Sequence, residues 1–276
     1  MVSDKQIYQL IQPKDQETIP FLFESPHSGT FHPIKGDENI SAGKIYPGVD
    51  RYIDQIFDFA SAIGAPLINA QFCRCYIDTN RALSDMRPDW FCAPWPEPLT
   101  PTNKSDNGLG LVWPDVNGDL FTPADITARI DGYYRPYHSL IQSELLRLKD
   151  IHGQAIHISC HSAPKAIMKP KINPRLNYTA DIVISDQFGQ TADAKIGQKL
   201  RQLLTAQGYK VLSNDPFQGD ELIAANGAPH NQIHSIQIEI NRALYMNEKT
   251  HKIEPRKFDT LKRKLQSCFS KLSASL

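Results

Sequence analysis

The feature that most constrains the fold is an alternation of strand-like and helix-like segments along the 276-residue chain. Apolar runs and period-2 patterns predict strands at 19–23, "APLINA", "FCRCYID", "QAIHIS", "ADIVIS", "YKVLSN" and "SIQIEI". Period-3.6 patterns predict helices over 51–63, 123–152, 191–207 and 255–272. Such alternation is typical of a sheet with helices packed on both faces. We therefore predict one three-layer α/β domain over residues 1–276.

Two features interrupt this pattern. Residues 84–120 contain six prolines with several glycines and asparagines, which predicts a long irregular insertion of the kind that borders or caps a site. Pro136 lies inside the helical pattern at 123–152 and should kink or divide that helix, because proline has no backbone N–H to donate.

Composition excludes several classes of partner. The 30 basic and 30 acidic residues balance, so no cationic excess indicates a nucleic acid or a lipid surface. The sequence contains no apolar run of membrane-spanning length and no apolar signal-peptide core at its start, which predicts a cytoplasmic protein. The five scattered cysteines fit a reducing compartment, and Cys73 and Cys75 are predicted to be small buried thiols.

Polar side chains cluster in "HISCHS", residues 157–162, within an otherwise buried strand. Alternation places His157, Ser159 and His161 on one face, with His161 close to the carboxyl end of the strand. Ligands of α/β sheets usually bind at that end. His27 follows the strand at 19–23, and Glu239 lies in "SIQIEI".

Two imidazoles and a carboxylate in a protein interior favour a site for a divalent metal, with zinc as the first candidate. Catalytic zinc commonly takes three protein ligands and keeps one position open. The candidate ligands are His27, Asp50 and His161. Glu239 would stay unbound and act as general base.

Each of these residues also has a purely structural interpretation. A histidine is commonly a hydrogen-bonded core or surface residue, and Asp50 precedes a helical pattern that it could cap. Glu239 could pair with Arg74 or Arg81, because an acid is rarely buried unpaired. His157 is predicted to be packed behind the site. The sequence has neither an HExxH unit nor the GxSxG motif of a serine hydrolase.

Seven segments together resemble the N-formylglutamate amidohydrolase family, a branch of the zinc carboxypeptidase-like superfamily. They are "SPHSGTFHP", "GVDRYIDQIF", "CRCYIDTNR", "YYRPYHSLI", "ISCHSAP", "NDPFQGDELI" and "IQIEINRALYM", in the family's order over roughly residues 20–248. The resemblance implies a three-layer α/β/α sandwich with a mixed central sheet, of the phosphorylase/hydrolase-like type.

The resemblance also implies a set of site residues. One Zn²⁺ ion would be held by His27, Asp50 and His161, with Glu239 as the catalytic carboxylate. Asn80 and Arg81, in "DTNR", are similar to an Asn-Arg pair that binds the substrate carboxylate in related amidohydrolases. Family members often have an aspartate at the position of Ser159, so metal affinity or ligand geometry could differ here.

Three further residues are candidates on their chemistry. Arg74 is predicted to stabilise the oxyanion. Arg135 and His138 are predicted to contact a side-chain carboxylate or to close the pocket, with helix packing and surface exposure as the alternative.

The resulting expectation is a zinc-dependent enzyme that converts N-formyl-L-glutamate to formate and L-glutamate, placed in histidine catabolism or a neighbouring salvage route. The expected partner is a small-molecule N-acyl amino acid substrate, and neither a nucleic acid nor a membrane is expected as a partner. One alternative is the same chemistry on another N-acyl amino acid or a peptide. Another alternative is a catalytically inactive binding module on the same fold. The sequence predicts no oligomeric state.

Overall fold

A seven-stranded sheet organises the molecule. The computed structural model describes residues 7–13, 17–33, 48–114, 120–173 and 175–276. The strands of the sheet are β1 (Tyr8–Ile11), β2 (Phe21–Ser25), β3 (Leu67–Ala70), β4 (Ala155–Ala163), β5 (Ile182–Ser185), β6 (Val211–Ser213) and β7 (Ile233–Asn241). Their order across the sheet is β1-β3-β2-β4-β7-β5-β6.

The sheet is mixed, as the family resemblance predicted. Strands β3, β2, β4 and β7 run parallel to one another, as do β5 and β6, whereas β1 is antiparallel to β3 and β5 is antiparallel to β7. In the pairing register, Glu24 on β2 faces Ser159 on β4, and His161 on β4 faces Glu239 on β7. The parallel centre therefore brings the carboxyl ends of β2, β4 and β7 to one edge.

Helices cover both faces. The α-helices are α1 (Ile53–Ile56), α2 (Asn103–Asp106), α3 (Pro123–Arg129), α4 (Arg135–His152), α5 (Ala194–Ala206), α6 (Glu221–Asn226) and α7 (Pro255–Ser273). One buried apolar cluster joins α1, α5 and α7 to the face that carries Ile156 and Ile158. A second joins α3, α4 and α6 to the face that carries Leu22 and Ile68. This arrangement confirms the three layers.

The strand pattern predicted for residues 157–162 is confirmed. All nine residues of β4 are buried. Ile156, Ile158 and Cys160 belong to the first apolar cluster, so the polar residues between them face the opposite layer.

The prediction of a strand at "FCRCYID" is wrong. Phe72 forms only an isolated bridge with Phe31, and the chain then turns, with Tyr76 N–H donating to the Cys73 carbonyl at 2.9 Å. Cys73 and Cys75 are buried as predicted, but they form a disulfide, so the prediction of two thiols is also wrong.

Two predicted helices are shorter or less regular than expected. The segment 51–63 is α-helical only over α1 and continues as a 3₁₀ helix, Asp58–Ile63, which ends at Gly64 with φ 92°. The pattern at 123–152 is divided, as Pro136 predicted, by a π-helical turn, Ile130–Tyr134.

The predicted insertion 84–120 contains a 3₁₀ turn, Pro88–Trp90, and the short helix α2, and its residues 115–119 lie outside the described residues. The sequence patterns missed β1, α6 and a separate pair of two-residue strands, β8 (Met246–Asn247) and β9 (Lys252–Ile253). No helix in the described part of the chain is long and apolar enough to cross a bilayer.

Candidate active site

Three potential metal ligands converge at the carboxyl edge of the sheet. His27 follows β2, His161 lies near the end of β4, and Asp50 precedes α1. His161 Nδ1 lies 3.1 Å from His27 Nδ1 and 3.3 Å from Asp50 Oδ2, and His27 Nδ1 lies 3.4 Å from the same carboxylate oxygen. All three residues are buried. The structure thus brings together the three ligands predicted from the sequence.

The spacing of these atoms fits a small tetrahedral ion. Ligands at about 2.0–2.1 Å from a tetrahedral metal lie about 3.3–3.4 Å from one another. The three observed separations, 3.1–3.4 Å, match the edges of such a tetrahedron. Within the described residues, this is the one group of histidine, cysteine and acidic side chains with metal-binding geometry. Two imidazoles and one carboxylate are a donor set that zinc accepts.

His27 is oriented by a buried carboxylate. Its Nε2 donates to Asp78 Oδ1 at 2.8 Å, so its Nδ1 is free to face the other ligands. Arg74 Nη2 in turn donates to Asp78 Oδ2 at 2.6 Å. Burial acts to raise the pKa of Asp78, but the charges of Arg74 and His27 hold it well below its usual range. Asp78 was not among the predicted site residues, although the alternation in "CRCYIDTNR" places it on the same face as Arg74 and Asn80.

The Asp50 carboxylate does not cap α1. The first N–H of that helix donates to the Asp50 backbone carbonyl, and no side chain caps the helix. Asp50 Oδ1 instead accepts from Arg242 Nη2 at 2.9 Å and from Ser162 Oγ at 3.2 Å. Burial opposes ionisation of Asp50, yet its contacts with His161, His27 and Arg242 keep its pKa well below the usual range.

Ser159 supports His161 from the other side. Its Oγ lies 2.9 Å from His161 Nε2. Burial lowers the pKa of His161, which favours the neutral imidazole that binds metals. His157 precedes Ser159 by two residues and lies on the same face of β4. It is fully buried, and its Nδ1 lies 2.7 Å from Ser235 Oγ, which agrees with its predicted packed position behind the site.

Glu239 is a buried carboxyl beside the three ligands. The ion pairs of the described residues include none for Glu239; its side-chain contact is Gln237 Nε2, which donates to Oε1 at 3.1 Å. Burial, and then the negative charge of Asp50, raises the pKa of Glu239 to about 8. The structural alternative of an ion pair with Arg74 or Arg81 is absent among the described residues, because Arg74 pairs with Asp78 and Arg81 pairs with Asp220.

These groups share a cavity of about 230 Å³. Its lining consists of His27, Gly48, Asp50, Arg74, Asn80, Arg81, Lys104, Leu109, Trp113, His161, Ser162, Ala163, Pro164, Ile167, Phe217, Asp220, Glu239 and Arg242. A larger cavity, about 620 Å³, lies at the amino ends of β4 and β7, but the metal-ligand group is not in it. We therefore place the site in the smaller cavity.

The predicted carboxylate anchors line this cavity but already have partners. Asn80 Oδ1 accepts from the Leu222 N–H at 2.8 Å. Arg81 Nη1 donates to Asp220 Oδ2 at 3.0 Å, and its Nε donates to the Leu109 carbonyl at 3.0 Å. A substrate carboxylate would have to share or replace the contact with Asp220.

The other predicted contact residues differ in position. Arg74 lines the cavity, with its guanidinium 5.4 Å from the centre of the Trp113 ring. Arg135 is 62% exposed and pairs with Asp131, one helical turn earlier. His138 Nε2 lies 2.8 Å from the Thr79 carbonyl, and its ring stacks on Tyr134. Neither Arg135 nor His138 lines the cavity. Their predicted roles in contacting a side-chain carboxylate or closing the pocket therefore stay predictions.

Sequence reasoning missed several cavity residues. Lys104 and Trp113 come from the insertion, and Asp220 comes from the loop before α6. Arg242 directly follows the strand that carries Glu239. Its position after that strand end is the one sequence feature that could have identified it as a cavity residue.

Comparison with known proteins identifies the family. The sequence pattern of the N-formylglutamate amidohydrolases matches residues 19–246. The chain belongs to the N-formylglutamate amidohydrolase family. Members of this family are amidohydrolases, so the protein is an enzyme that cleaves an amide bond.

Individual relatives agree with this assignment. An N-formylglutamate deformylase of Pseudomonas putida is 27% identical over 238 residues, 84% of each chain, and one of Pseudomonas aeruginosa is 26% identical over 241 residues, 83% of each. The solved N-formylglutamate amidohydrolase of Ralstonia eutropha JMP134 is 32% identical, with a TM-score of 0.86 over 98% of each chain. An Agrobacterium tumefaciens protein, 16% identical with a TM-score of 0.62, shares the fold.

Proposed function

We propose that this amidohydrolase is zinc-dependent and hydrolyses N-formyl-L-glutamate to formate and L-glutamate. The observation that carries the proposal is the spacing of three donor atoms, 3.1–3.4 Å apart, in a member of this family. The names of the Pseudomonas relatives support the substrate. A role in histidine breakdown is part of the same proposal and rests on the family resemblance, and a cytoplasmic location is part of it on the basis of the sequence composition.

The three ligands His27, Asp50 and His161 would hold the ion. When bound, zinc would supply an activated water and polarise the formyl carbonyl. Glu239 would accept a proton from the attacking water and then donate it to the departing amine nitrogen. Its buried position and raised pKa suit both transfers, because a group that titrates near neutral pH can serve as base and then as acid.

Positive charge in the cavity fits a substrate with two carboxylates. Arg74, Arg81, Lys104 and Arg242 line it. Arg81 is the best anchor for the α-carboxylate, because its planar guanidinium can form two parallel hydrogen bonds. Asp220 lies 3.0 Å from Arg81 and 3.8 Å from Lys104, so it holds both cations near the cavity mouth. We infer that a substrate carboxylate competes with Asp220 for them.

Arg74 would stabilise the developing oxyanion while it remains paired with Asp78. Its Nε and Nη2 are occupied by Asp78, and its Nη1 donates to the Gly48 carbonyl at 3.2 Å. Arg74 would therefore act through its charge at the cavity wall. A direct hydrogen bond to the oxyanion would require Nη1 to release the Gly48 carbonyl.

One alternative concerns the substrate. The same chemistry could act on another N-acyl amino acid or a peptide, which a substrate panel separates. The inactive binding module is not retained, because the chain belongs to a family of amidohydrolases.

Elemental analysis paired with a formate-release assay tests the proposal. The purified protein should contain one zinc per chain and release formate from N-formyl-L-glutamate faster than from N-formyl-L-glutamine or N-formyl-L-leucine. N-acetyl-L-glutamate, assayed by glutamate release, is the control for the acyl group. A protein with stoichiometric zinc but no preference for the glutamate side chain would retain the chemistry and refute the substrate. A protein that is fully active after chelation, with no metal present, would refute zinc.

A further inference from the structure

A second buried carboxylate lies behind the three ligands and has no part in the proposed reaction. Glu24, on β2, is fully buried and does not line the cavity. The ion pairs of the described residues give it no arginine or lysine. Its neighbours are the Tyr137 hydroxyl, which donates to Oε1 at 2.8 Å, and His157 Nε2, 3.3 Å from Oε2. Burying a carboxylate without a strong cation is costly, so a role is expected for it.

Ser159 lies beside Glu24 in the sheet and contacts the ligand His161. Glu24 and Ser159 are register partners on the adjacent parallel strands β2 and β4, which lie about 4.8 Å apart in such sheets. Burial raises the pKa of Glu24, but the neighbouring His157 and, to a smaller degree, His161 and Ser159 bring it below its usual value. On its other side, Ser159 Oγ lies 2.9 Å from His161 Nε2.

The direction of these hydrogen bonds follows from the ligand geometry. His161 Nδ1 faces His27 and Asp50, so it must present a lone pair to the metal, and the imidazole proton must be on Nε2. The Asn80 amide cannot take that proton, because its oxygen accepts from Leu222 and its nitrogen is the atom 3.5 Å from His161. Ser159 Oγ therefore accepts it, which leaves the serine hydroxyl proton available to Glu24, whose buried Oε2 has no hydrogen-bond partner among the described residues.

We propose that Glu24 is a positioning residue for the metal ligand His161, acting through the Ser159 hydroxyl. Its negative charge orients the hydroxyl, which in turn keeps the His161 proton on Nε2 and Nδ1 toward the metal. His27 achieves the same result with Asp78 in direct contact. This inference rests on the proposed zinc centre, and it accounts for a neutral serine at position 159, because the carboxylate is supplied by the neighbouring strand.

Zinc affinity, measured by competition with a chromophoric chelator, tests the inference without reference to turnover. Glu24→Gln and Ser159→Ala should each weaken zinc binding about 10- to 100-fold, the range typical for loss of a group behind a metal ligand. The double variant should be no weaker than the weaker single variant, because either change already breaks the chain. Tyr137→Phe is the matched control: it removes the other hydrogen bond of Glu24 and should leave zinc affinity within about threefold of wild type.

The outcomes separate this inference from the proposed function. A wild-type protein that binds no zinc refutes the metal centre itself. Wild-type zinc binding with either single variant within about twofold of it, or with losses that multiply in the double variant, refutes the role of Glu24 alone. Should Glu24→Gln fail to fold, Glu24→Asp takes its place in the same cycle under the same criterion. That variant keeps the charge and withdraws the carboxylate by one methylene group.

Discussion

The floor and the rim of the cavity are built in different ways. We define the floor as His27, Asp50, His161 and Glu239. We define the rim as Arg81, Lys104, Trp113 and Asp220. The floor comes from strand ends and the loop before α1, whereas most of the rim comes from the insertion and from the loop before α6.

The two regions also differ in exposure. The floor is almost fully buried, and each of its three ligands contacts a further polar side chain: Asp78, Arg242 or Ser159. At the rim, Arg81 and Trp113 are buried, but the side chains of Lys104 and Asp220 are 44% and 37% exposed. Exposed ion pairs contribute little free energy, so they can exchange partners. The floor is thus suited to hold an ion in fixed geometry, and the rim is suited to exchange Asp220 for a substrate.

The largest expected effect comes from removing a ligand of the floor. His161→Ala should abolish stoichiometric zinc binding and reduce formate release to below about a thousandth of wild type, because two ligands cannot hold a catalytic ion. Elemental analysis and the formate assay measure both losses. Circular dichroism of the metal-free proteins is the control for folding. Full zinc content in this variant would place the metal elsewhere.

The second effect separates binding from chemistry within the floor. Glu239→Gln should retain zinc and lower kcat about 10²- to 10⁴-fold with little change in KM, because the amide keeps the shape and removes the proton acceptor. Steady-state kinetics with metal analysis tests this. Nearly full activity of Glu239→Gln on every substrate that the wild type hydrolyses would exclude Glu239 as the base.

The floor could be predicted from the sequence, for a physical reason. Parallel strands end at one edge, so polar residues that follow buried strands meet there, as His27 and His161 do. Asp78 ends the predicted strand "FCRCYID" and was still missed, because its contact with His27 depends on a backbone turn at Cys73–Tyr76 that the strand-like alternation does not show. Local pattern alone does not distinguish a strand from an extended segment that turns.

The rim could not be predicted in the same way. Lys104 lies on the four-residue helix α2 and Asp220 in the loop before α6, and they approach within 3.8 Å from two segments whose sequences carry no periodicity. Their contact depends on loop conformations set by tertiary packing, such as the Arg81 Nε donation to the Leu109 carbonyl. The predicted anchors Asn80 and Arg81 came from the family resemblance, which supplied residue types but not the competing carboxylate of Asp220.

The third effect probes the rim at its most buried cation. Arg81→Lys should raise KM for N-formyl-L-glutamate about tenfold and leave zinc content unchanged, because an ammonium group cannot form two parallel hydrogen bonds to a carboxylate. Titration of initial rates with substrate measures the change, and Arg87→Lys, an exposed arginine that does not line the cavity, is the matched control. A fall in zinc content with Arg81→Lys would mean that the two regions are not independent.

The smallest effect is expected at the exposed edge of the rim. Lys104→Met keeps a long side chain and removes the charge, so it should raise KM for N-formyl-L-glutamate by no more than about threefold, as for other exposed ion pairs. The increase should shrink as salt is added, because salt already screens the wild-type charge. Kinetics at two ionic strengths provides the measurement, with N-formyl-L-leucine as the substrate that lacks the second carboxylate. An equal change in KM for both substrates would show that Lys104 does not read the glutamate side chain. A change as large as that of Arg81→Lys would show that the exposed edge of the rim contributes as much to recognition as its buried cation.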